Sequence, residues 1–282
     1  MQIRTLENTP LAEITAVFNE AFRNYFIRLE FTEEGMATKM KSEGIRRECS
    51  IGAFDDNRLV GFILHGYDII DGIKTIYNAG TGVIAGYRGR GITKSLYQFA
   101  IPFLAEKGVR THLLEVIDNN FPAMHVYEQV GFKKLRKLHA FKCQATIHTR
   151  QTYLLKELNE IPFEAAAFSE MNAAWQNSLA SVQRDKAGHR FAGVFKNDSI
   201  IGFAAYVPAT GRIKQLAVHT EYRRKGVGTA LLHFIQQSSA TGQLVVTNVD
   251  EGYQPAMKFL QAWGFENFLS LYEMKLLVNE VG

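Results

Sequence analysis

The feature that most constrains this chain is that it repeats itself. The run Pro122-Ala123-Met124-His125-Val126-Tyr127-Glu128-Gln129-Val130-Gly131-Phe132 returns as Pro255-Ala256-Met257-Lys258-Phe259-Leu260-Gln261-Ala262-Trp263-Gly264-Phe265. Upstream of each lies a second matching block, Val83-Ile84-Ala85-Gly86-Tyr87-Arg88-Gly89-Arg90-Gly91 and Val218-His219-Thr220-Glu221-Tyr222-Arg223-Arg224-Lys225-Gly226. The interval is 34 residues from Arg88 to Pro122 and 32 from Arg223 to Pro255. Two matches in the same order at nearly the same spacing mean a duplicated unit. The copies fall at 1–145 and 146–282, each long enough to bury its own core. No Pro/Gly/Ser linker marks the junction near Ala145, so the copies are expected to pack directly and to unfold together.

Within the first copy, helical periodicity runs through residues 10–23 and again around 32–46. Strand patterns follow at Ser50–Phe54, Arg58–Tyr67 and Lys74–Val83, the first two joined by an Asp55-Asp56-Asn57 turn. A helix opens at Gly91 with Ile92, Leu96, Phe99, Phe103 and Leu104 as its apolar stripe, and Pro102 is expected to kink it. A buried strand, His112–Ile117, leads into a short helix announced by Asn119, Asn120 and Pro122. The second copy repeats this from Phe191 onward, whereas its opening, residues 158–187, lacks clear periodicity. Strand–helix–strand–helix in each copy predicts an α/β (α+β) fold, mostly antiparallel with one central parallel strand pair flanked by helices. Gly80-Thr81-Gly82, inside a presumed central strand, marks either a bulge or a weak strand.

Composition excludes several classes. No apolar run approaches the ~20 residues of a membrane-spanning helix, and the first residues show no signal-peptide pattern, so a cytoplasmic protein without a membrane partner is expected. Cys49 and Cys143 lie in apolar stretches without metal-ligand spacing and read as reduced core residues. The net charge of +4 divides into 19 basic against 16 acidic residues for 1–145 and 13 against 12 for 146–282, too weak a bias to indicate nucleic acid. The one basic cluster, Lys133-Lys134-Leu135-Arg136-Lys137, reads as a solvated strand edge, the alternative being contact with phosphate or nucleic acid. The histidines are scattered, His-Glu-x-x-His and Gly-x-Ser-x-Gly are missing, and no metal is expected.

Each copy places a basic, glycine-containing turn between a strand and a helix: Arg88-Gly89-Arg90-Gly91-Ile92-Thr93, and Arg223-Arg224-Lys225-Gly226-Val227-Gly228. Free N–H groups at a helix N-terminus, the helix dipole and close approach at glycine together suit a pyrophosphate; a turn needing glycine only for its backbone angles is the plainer alternative. A Walker A loop is excluded, because Ile92 stands where its lysine must be.

The arginine–glycine turn after a strand ending in valine, followed by Asn120-Phe121-Pro122-Ala123-Met124-His125-Val126-Tyr127 and Gly131-Phe132, resembles the GNAT acetyltransferase superfamily. The resemblance covers the whole chain twice and implies two tandem GNAT folds that use acetyl-CoA. It implies that residues 88–93 and 223–228 wrap the coenzyme A pyrophosphate, that Val83 and Val218 hydrogen-bond the pantetheine arm, and that Asn120 belongs to the cofactor site. Thr93 departs from the Gly or Ala of the pattern, at a small steric cost. The acceptor implied is a primary amine of a small molecule or peptide; Phe22, Tyr25 and Phe26 are its wall by family position only.

Amide formation from a thioester needs a neutral amine and a proton donor for the departing thiolate. Tyr127 is the acid that the resemblance assigns, and Glu115, in an otherwise apolar strand, is the candidate base, costly to bury unless functional. Plainer alternatives are a core aromatic for Tyr127 and a strand-edge or ion-paired carboxylate for Glu115. Aligned on Pro-Ala-Met, the second copy has Leu260 for Tyr127, Asn248 for Glu115 and Tyr253 for Asn120, so it keeps the turn and loses the acid and base. The expectation is an N-acetyltransferase acting through its first copy. The alternatives are a CoA-binding regulatory protein without turnover, or activity residing in the second copy.

Overall fold

Two residues at positive φ, Asp56 (46°) and Asn57 (66°), turn β2 (Ile51–Asp55) back into β3 (Arg58–Ile70), and Asp71 (50°) with Gly72 (78°) turns β3 into β4 (Ile73–Val83). Asx residues and glycine tolerate such angles, which is why these turns sit where they do. The computed structural model describes residues 1–27, 29–150 and 153–278. It divides into two compact units, Met1–Leu135 with Tyr272–Gly282, and Arg136–Leu271.

In the first unit, β1 (Gln2–Thr5) pairs antiparallel with β2, and β2, β3 and β4 follow antiparallel in turn. Strand β5 (Thr111–Ile117) lies parallel to β4, the expected parallel pair, and β12 (Glu266–Leu277) is the next neighbour of β5. Helices α1 (Leu11–Phe22) and α2 (Glu33–Glu43) lie between β1 and β2 in the chain, α3 (Ile92–Glu106) makes the parallel crossover, and α4 (Phe121–Val130) follows β5. Helix α3 runs unbroken through Pro102, and its buried stripe is Ile92, Leu96, Tyr97, Ala100 and Leu104. The expected stripe had Phe99 and Phe103 in it; these two instead stack on each other, ring centroids 5.6 Å apart, at the partly exposed flank.

The faces of this sheet are fixed by a few contacts. Phe18 of α1 stacks on Phe62 of β3 at 5.7 Å, and Phe62 lies opposite Gly82 of β4, so α1 covers that face. A Cβ on Gly82 would stand 2.7 Å from Phe62 and 2.9 Å from Ala21, so only glycine lets α1 come this close. The other face carries α3: Asn78 of β4 donates a hydrogen bond to Tyr97 at 2.7 Å.

The second unit repeats the plan with β7 (Leu154–Leu158), β8 (Arg190–Lys196), β9 (Ser199–Val207), β10 (Arg212–Val218) and β11 (Leu244–Asp250); β10 and β11 are its parallel pair. Helix α7 (Val227–Ser238) makes the crossover and α8 (Gln254–Ala262) follows β11. The segment without periodicity folds as two short helices, α5 (Phe163–Ala166) and α6 (Leu179–Arg184), with isolated 3-10 turns at Trp175–Asn177 and Lys186–Gly188.

The division does not follow the sequence cut at Ala145. Strand β6 (Lys133–Cys143) ends the first copy in sequence, yet its residues from Arg136 on lie in the second unit and pair antiparallel with β11, Leu138 opposite Asp250 and Cys143 opposite Leu244. In return β12, from Tyr272 on, belongs to the first unit, where Val278 N–H bonds the carbonyl of Arg110 at 2.9 Å. The run at 133–137 is therefore not a free strand edge: Arg136 pairs with Asp250 at 3.1 Å, and Lys134 lies over the Tyr272 ring at 4.5 Å. Cys49 and Cys143 are buried free thiols, as expected.

His65 and His112 are both buried, ring centroids 6.4 Å apart. Nδ1 of His65 meets the Cys49 carbonyl at 2.8 Å, and neither nitrogen of His112 has a hydrogen-bond partner among the described residues. Burial, and for His112 also the charge of His65, lowers them to about 4 and about 3.

Two outcomes follow. The folded form refuses protons that the unfolded chain accepts below about pH 6.5, so stability falls as the pH drops below that point. Melting followed by circular dichroism should show Tm declining between about pH 7 and 5, and a smaller decline in His112→Phe; equal declines would remove the histidine pair as the cause. Second, a fragment 1–145 carries β6 without β11 and leaves β5 without β12, exposing unpaired strand edges. It should aggregate, whereas residues 1–135 joined through a short Gly/Ser turn to 272–278 should melt cooperatively; a soluble, cooperative 1–145 fragment would contradict this assignment.

Candidate active site

Parallel strands β4 and β5 are paired over only four positions, Thr75 with Thr111 through Asn78 with Leu114, and then part. At this point β4 carries a bulge: His65 of β3 lies opposite Asn78 but Leu64 lies opposite Gly80, leaving Ala79 as the extra residue. The expected ambiguity at Gly80-Thr81-Gly82 thus resolves as a bulge. Its effect is specific. In a regular strand residues three apart point to opposite faces. Here the extra residue puts Asn78 and Thr81 on the same face, where Asn78 Nδ2 donates to Thr81 Oγ1 at 2.8 Å.

Helices α3 and α4 bring two phenols to the same place. Tyr97 accepts from Asn78, and Tyr127 of α4 lies edge-on to Tyr97, ring centroids 5.9 Å apart. Thr81 and Asn78 lie beside the hydroxyls of both Tyr97 and Tyr127. Burial pushes Tyr127 up to about 12, against the pull of those two side chains, and pushes Tyr97 well above the ordinary phenol range. Tyr97 was not among the expected site residues, because its neighbours Leu96 and Phe99 suggested a different stripe. A polar hydroxyl one turn before a proline was the only signal.

Asn120 caps α4, its Oδ1 accepting from Ala123 N–H at 3.3 Å while Nδ2 reaches the Tyr25 hydroxyl at 3.5 Å. Burial raises Tyr25, with the Asn120 hydrogen bond opposing. Phe22, Tyr25 and Phe26 form a run of edge-to-face contacts, at 4.9 and 5.3 Å, leading outward from Tyr127's surroundings to an exposed Phe26. Glu115 stands one residue beyond the last β4–β5 pair. Leu114 sits beside Asn78 and so on the α3 face; strand alternation puts Glu115 on the α1 face. Tyr127 and Glu115 therefore border the strand opening from opposite sides of the sheet.

After β4, the chain passes a 3-10 turn at Ala85–Tyr87 and enters α3 through Gly91, at φ 72° and with no side chain capping the helix. Gly89 is also left-handed, at 75°, and a Cβ at Gly86, Gly89 or Gly91 would meet no atom within 4 Å, so open space lies over this turn. The first helical N–H groups, Ile92 and Thr93 among them, face that space, since the i to i−4 ladder begins with Ser95 on Gly91. Arg88 is spent otherwise. Its guanidinium bonds the carbonyls of Val83 at 3.0 Å and Ala21 at 2.6 Å, pinning the end of α1 to the end of β4. Arg90 lies over the Tyr87 ring and bonds the Gly86 carbonyl at 2.9 Å.

The second unit keeps this turn. Gly226 enters α7 at φ 86°, Arg224 is left-handed at 61°, and Arg223 bonds the carbonyls of Val218 at 3.1 Å and Phe168 at 3.3 Å, with Glu170 added at 2.8 Å. Lys225 lies near the Tyr222 ring and its carbonyl takes the Tyr153 hydroxyl; Val227 is buried and Gly228 packs on Phe259. The polar set at the strand opening is replaced. Ile213, Leu216, Leu232 and Leu260 stand where Asn78, Thr81, Tyr97 and Tyr127 stand in the first unit, all within one apolar cluster. Strands β10 and β11 part after Ile213 with Val246; just beyond, Asn177 Nδ2 donates to the Thr247 carbonyl at 2.6 Å, and the Asn177 main-chain carbonyl accepts from Gln215. Among the described residues no group of three or more His, Cys, Asp or Glu side chains is placed to hold a metal, and no helix is long and apolar enough to cross a membrane.

A mixed sheet with a short parallel pair, a bulge beside its opening and an uncapped glycine turn, built twice, is the fold of tandem GNAT proteins. The family described as Acetyltransferase (GNAT) matches residues 11–132 and 152–265, and the chain belongs to it. The chain is 29% identical to N-alpha-acetyltransferase 30 of Schizosaccharomyces pombe over 100 residues, 35% of this chain and 67% of that one. It is 36% identical to streptothricin acetyltransferase of Streptomyces lavendulae over 83 residues, 29% of this chain and less than half, 42%, of that one. A tandem GNAT protein from the clavulanic acid biosynthesis pathway superposes over 100% of both chains with a TM-score of 0.73 at 14% identity. A putative acetyltransferase from Pyrococcus horikoshii matches over 99% of this chain and 90% of its own, TM-score 0.71, at 15% identity.

Proposed function

We propose that this chain is an N-acetyltransferase that moves an acetyl group from acetyl-CoA to a primary amine, and that transfer takes place in the first unit. The observation that carries this reading is the polar set at the β4–β5 opening, Asn78, Thr81, Tyr97 and Tyr127, against four hydrocarbon side chains at the same places in the second unit. Burying hydroxyl and amide groups costs free energy that leucine and isoleucine do not, so retaining them in one unit alone points to work done there.

In this reading the open turn of Gly89, Arg90, Gly91, Ile92 and Thr93 receives the pyrophosphate on backbone N–H groups. Arg88 builds the turn by clamping Val83 and Ala21. The pantetheine arm runs from Val83 into the gap between β4 and β5. The amine nitrogen attacks the thioester carbonyl carbon, Glu115 takes a proton from that nitrogen, the carbon–sulfur bond breaks, and the Tyr127 hydroxyl gives its proton to the departing sulfur. Asn120 holds Tyr25 at the mouth, and Phe22, Tyr25 and Phe26 form the acceptor wall. One relative is named an N-alpha-acetyltransferase and another a streptothricin acetyltransferase; a peptide or small-molecule amine fits the aromatic mouth.

The second unit's turn, Arg223, Arg224, Lys225, Gly226, Val227 and Gly228 after Val218, retains its shape and is proposed to bind coenzyme A without transfer.

Replacing Tyr127 by Phe keeps the ring and removes the proton donor; kcat should fall by roughly 10²–10⁴. Near-full activity in that variant, together with its loss in Gly226→Asp, would move the active site to the second unit. No thiol release from acetyl-CoA with any amine would leave a CoA-binding regulator as the reading. At the turn, Gly91→Asp and Gly91→Asn share the same left-handed strain, so calorimetry with acetyl-CoA separates charge from backbone. Affinity should drop much further for Asp, and equal affinities would remove the pyrophosphate from this turn.

A further inference from the structure

We propose that Thr81, set by Asn78, is a positioning residue for the Tyr127 hydroxyl and stabilises the phenolate left when Tyr127 gives up its proton. The inference rests on the reading of Tyr127 as the acid.

The directions of the hydrogen bonds lead there. Asn78 Oδ1 is occupied by the N–H of Gly80 at 2.9 Å, within the bulge itself, so the amide is oriented by the backbone and Nδ2 points the other way. That nitrogen donates to Thr81 Oγ1 at 2.8 Å and to the Tyr97 hydroxyl at 2.7 Å. An amide nitrogen accepts nothing, so the Thr81 oxygen acts here as acceptor and its own hydrogen is free for another oxygen. Two hydroxyls lie beside it, those of Tyr97 and Tyr127; Tyr97 already accepts from Asn78, which leaves Tyr127 as the partner assigned here. Tyr97, fully buried and packed edge-on against Tyr127 and Phe132, closes the far side. The bulge is the mechanical cause: without Ala79 as the extra residue, Thr81 would face α1 instead of α4.

The energetic need is plain. A phenol that burial has pushed up to about 12 gives its proton to a thiolate of ordinary pKa about 8.5 only against a gradient. A hydrogen bond to a charged oxygen is worth more than one to a neutral oxygen, so a donor aimed at Tyr127 favours the phenolate over the phenol. The second unit supplies the contrast. Where Leu260 replaces the tyrosine, Leu216 and Ile213 replace Thr81 and Asn78, and Leu232 replaces Tyr97. The four positions changed together, as a set that serves one hydroxyl would.

The test uses the full chain, acetyl-CoA, and single-turnover thiol release with methylamine in excess as acceptor, water being the residual acceptor. Thr81→Val is isosteric and should slow release about tenfold, the value of one charge-assisted hydrogen bond, with acetyl-CoA affinity and Tm unchanged. Thr81→Ser should recover most of the rate. In a Tyr127→Phe background, Thr81→Val should cost nothing further, because residues that act as a unit are not additive. An equal loss in both backgrounds, or a serine variant as slow as the valine one, would assign Thr81 to packing and overturn the proposal. A Tyr127→Phe chain as fast as the parent would instead overturn the acid assignment itself, a result distinct from the first.

Discussion

The rest of the first unit depends on one interruption: parallel strands β4 and β5 stay paired for four positions and then separate. A parallel pair buried between helices ordinarily continues, because each abandoned N–H and C=O would lie away from water. The bulge at Ala79 breaks the ladder on one side and turns Thr81 back beside Asn78. The crossover helix α3 then begins at a glycine turn directly beyond the opening. Opening, turn and buried phenols are consequences of where two strands cease to pair.

Close packing holds this arrangement in place. Glycine at position 82 lets α1 approach β4 more closely than any side chain would permit, and Arg88 fastens the two ends together through their carbonyls. The aromatic run from Phe18 through Phe22 and Tyr25 to Phe26 is thereby carried to the rim of the opening. The same clamp recurs in the second unit with Arg223 on Val218 and Phe168. Clamp and turn are parts of the scaffold and survive duplication. The polar set at the opening is costly to bury and persists in one unit only.

Each unit takes its closing strand from the far end of the other sequence copy, β12 for the first and β6 for the second. A strand at this position covers an otherwise open sheet edge, which a protein must manage to avoid edge-to-edge association. By this division neither sequence copy carries the whole of one unit.

The duplication, the α/β alternation, the Asp55-Asp56-Asn57 turn and the Asn120 cap were legible in the residues, since each depends on contacts within a few positions along the chain or on a pattern that recurs. Tyr127 and the glycine turns were legible for the same reason, as spaced motifs that occur twice. Three things were not. The strand exchange leaves no local trace, because β6 and β12 have the same pattern whichever sheet they join. Tyr97, Asn78 and Thr81 look like ordinary helix and strand residues until a one-residue bulge turns their side chains together. That Arg88 and Arg223 clamp main-chain carbonyls 67 and 55 positions away in sequence was not legible either, because nothing near them in the chain marks those partners. Local periodicity and turn chemistry decided the elements; which groups meet across the sheet was decided by the register and packing of segments far apart in the chain, where pairing energy and excluded volume act and sequence pattern does not.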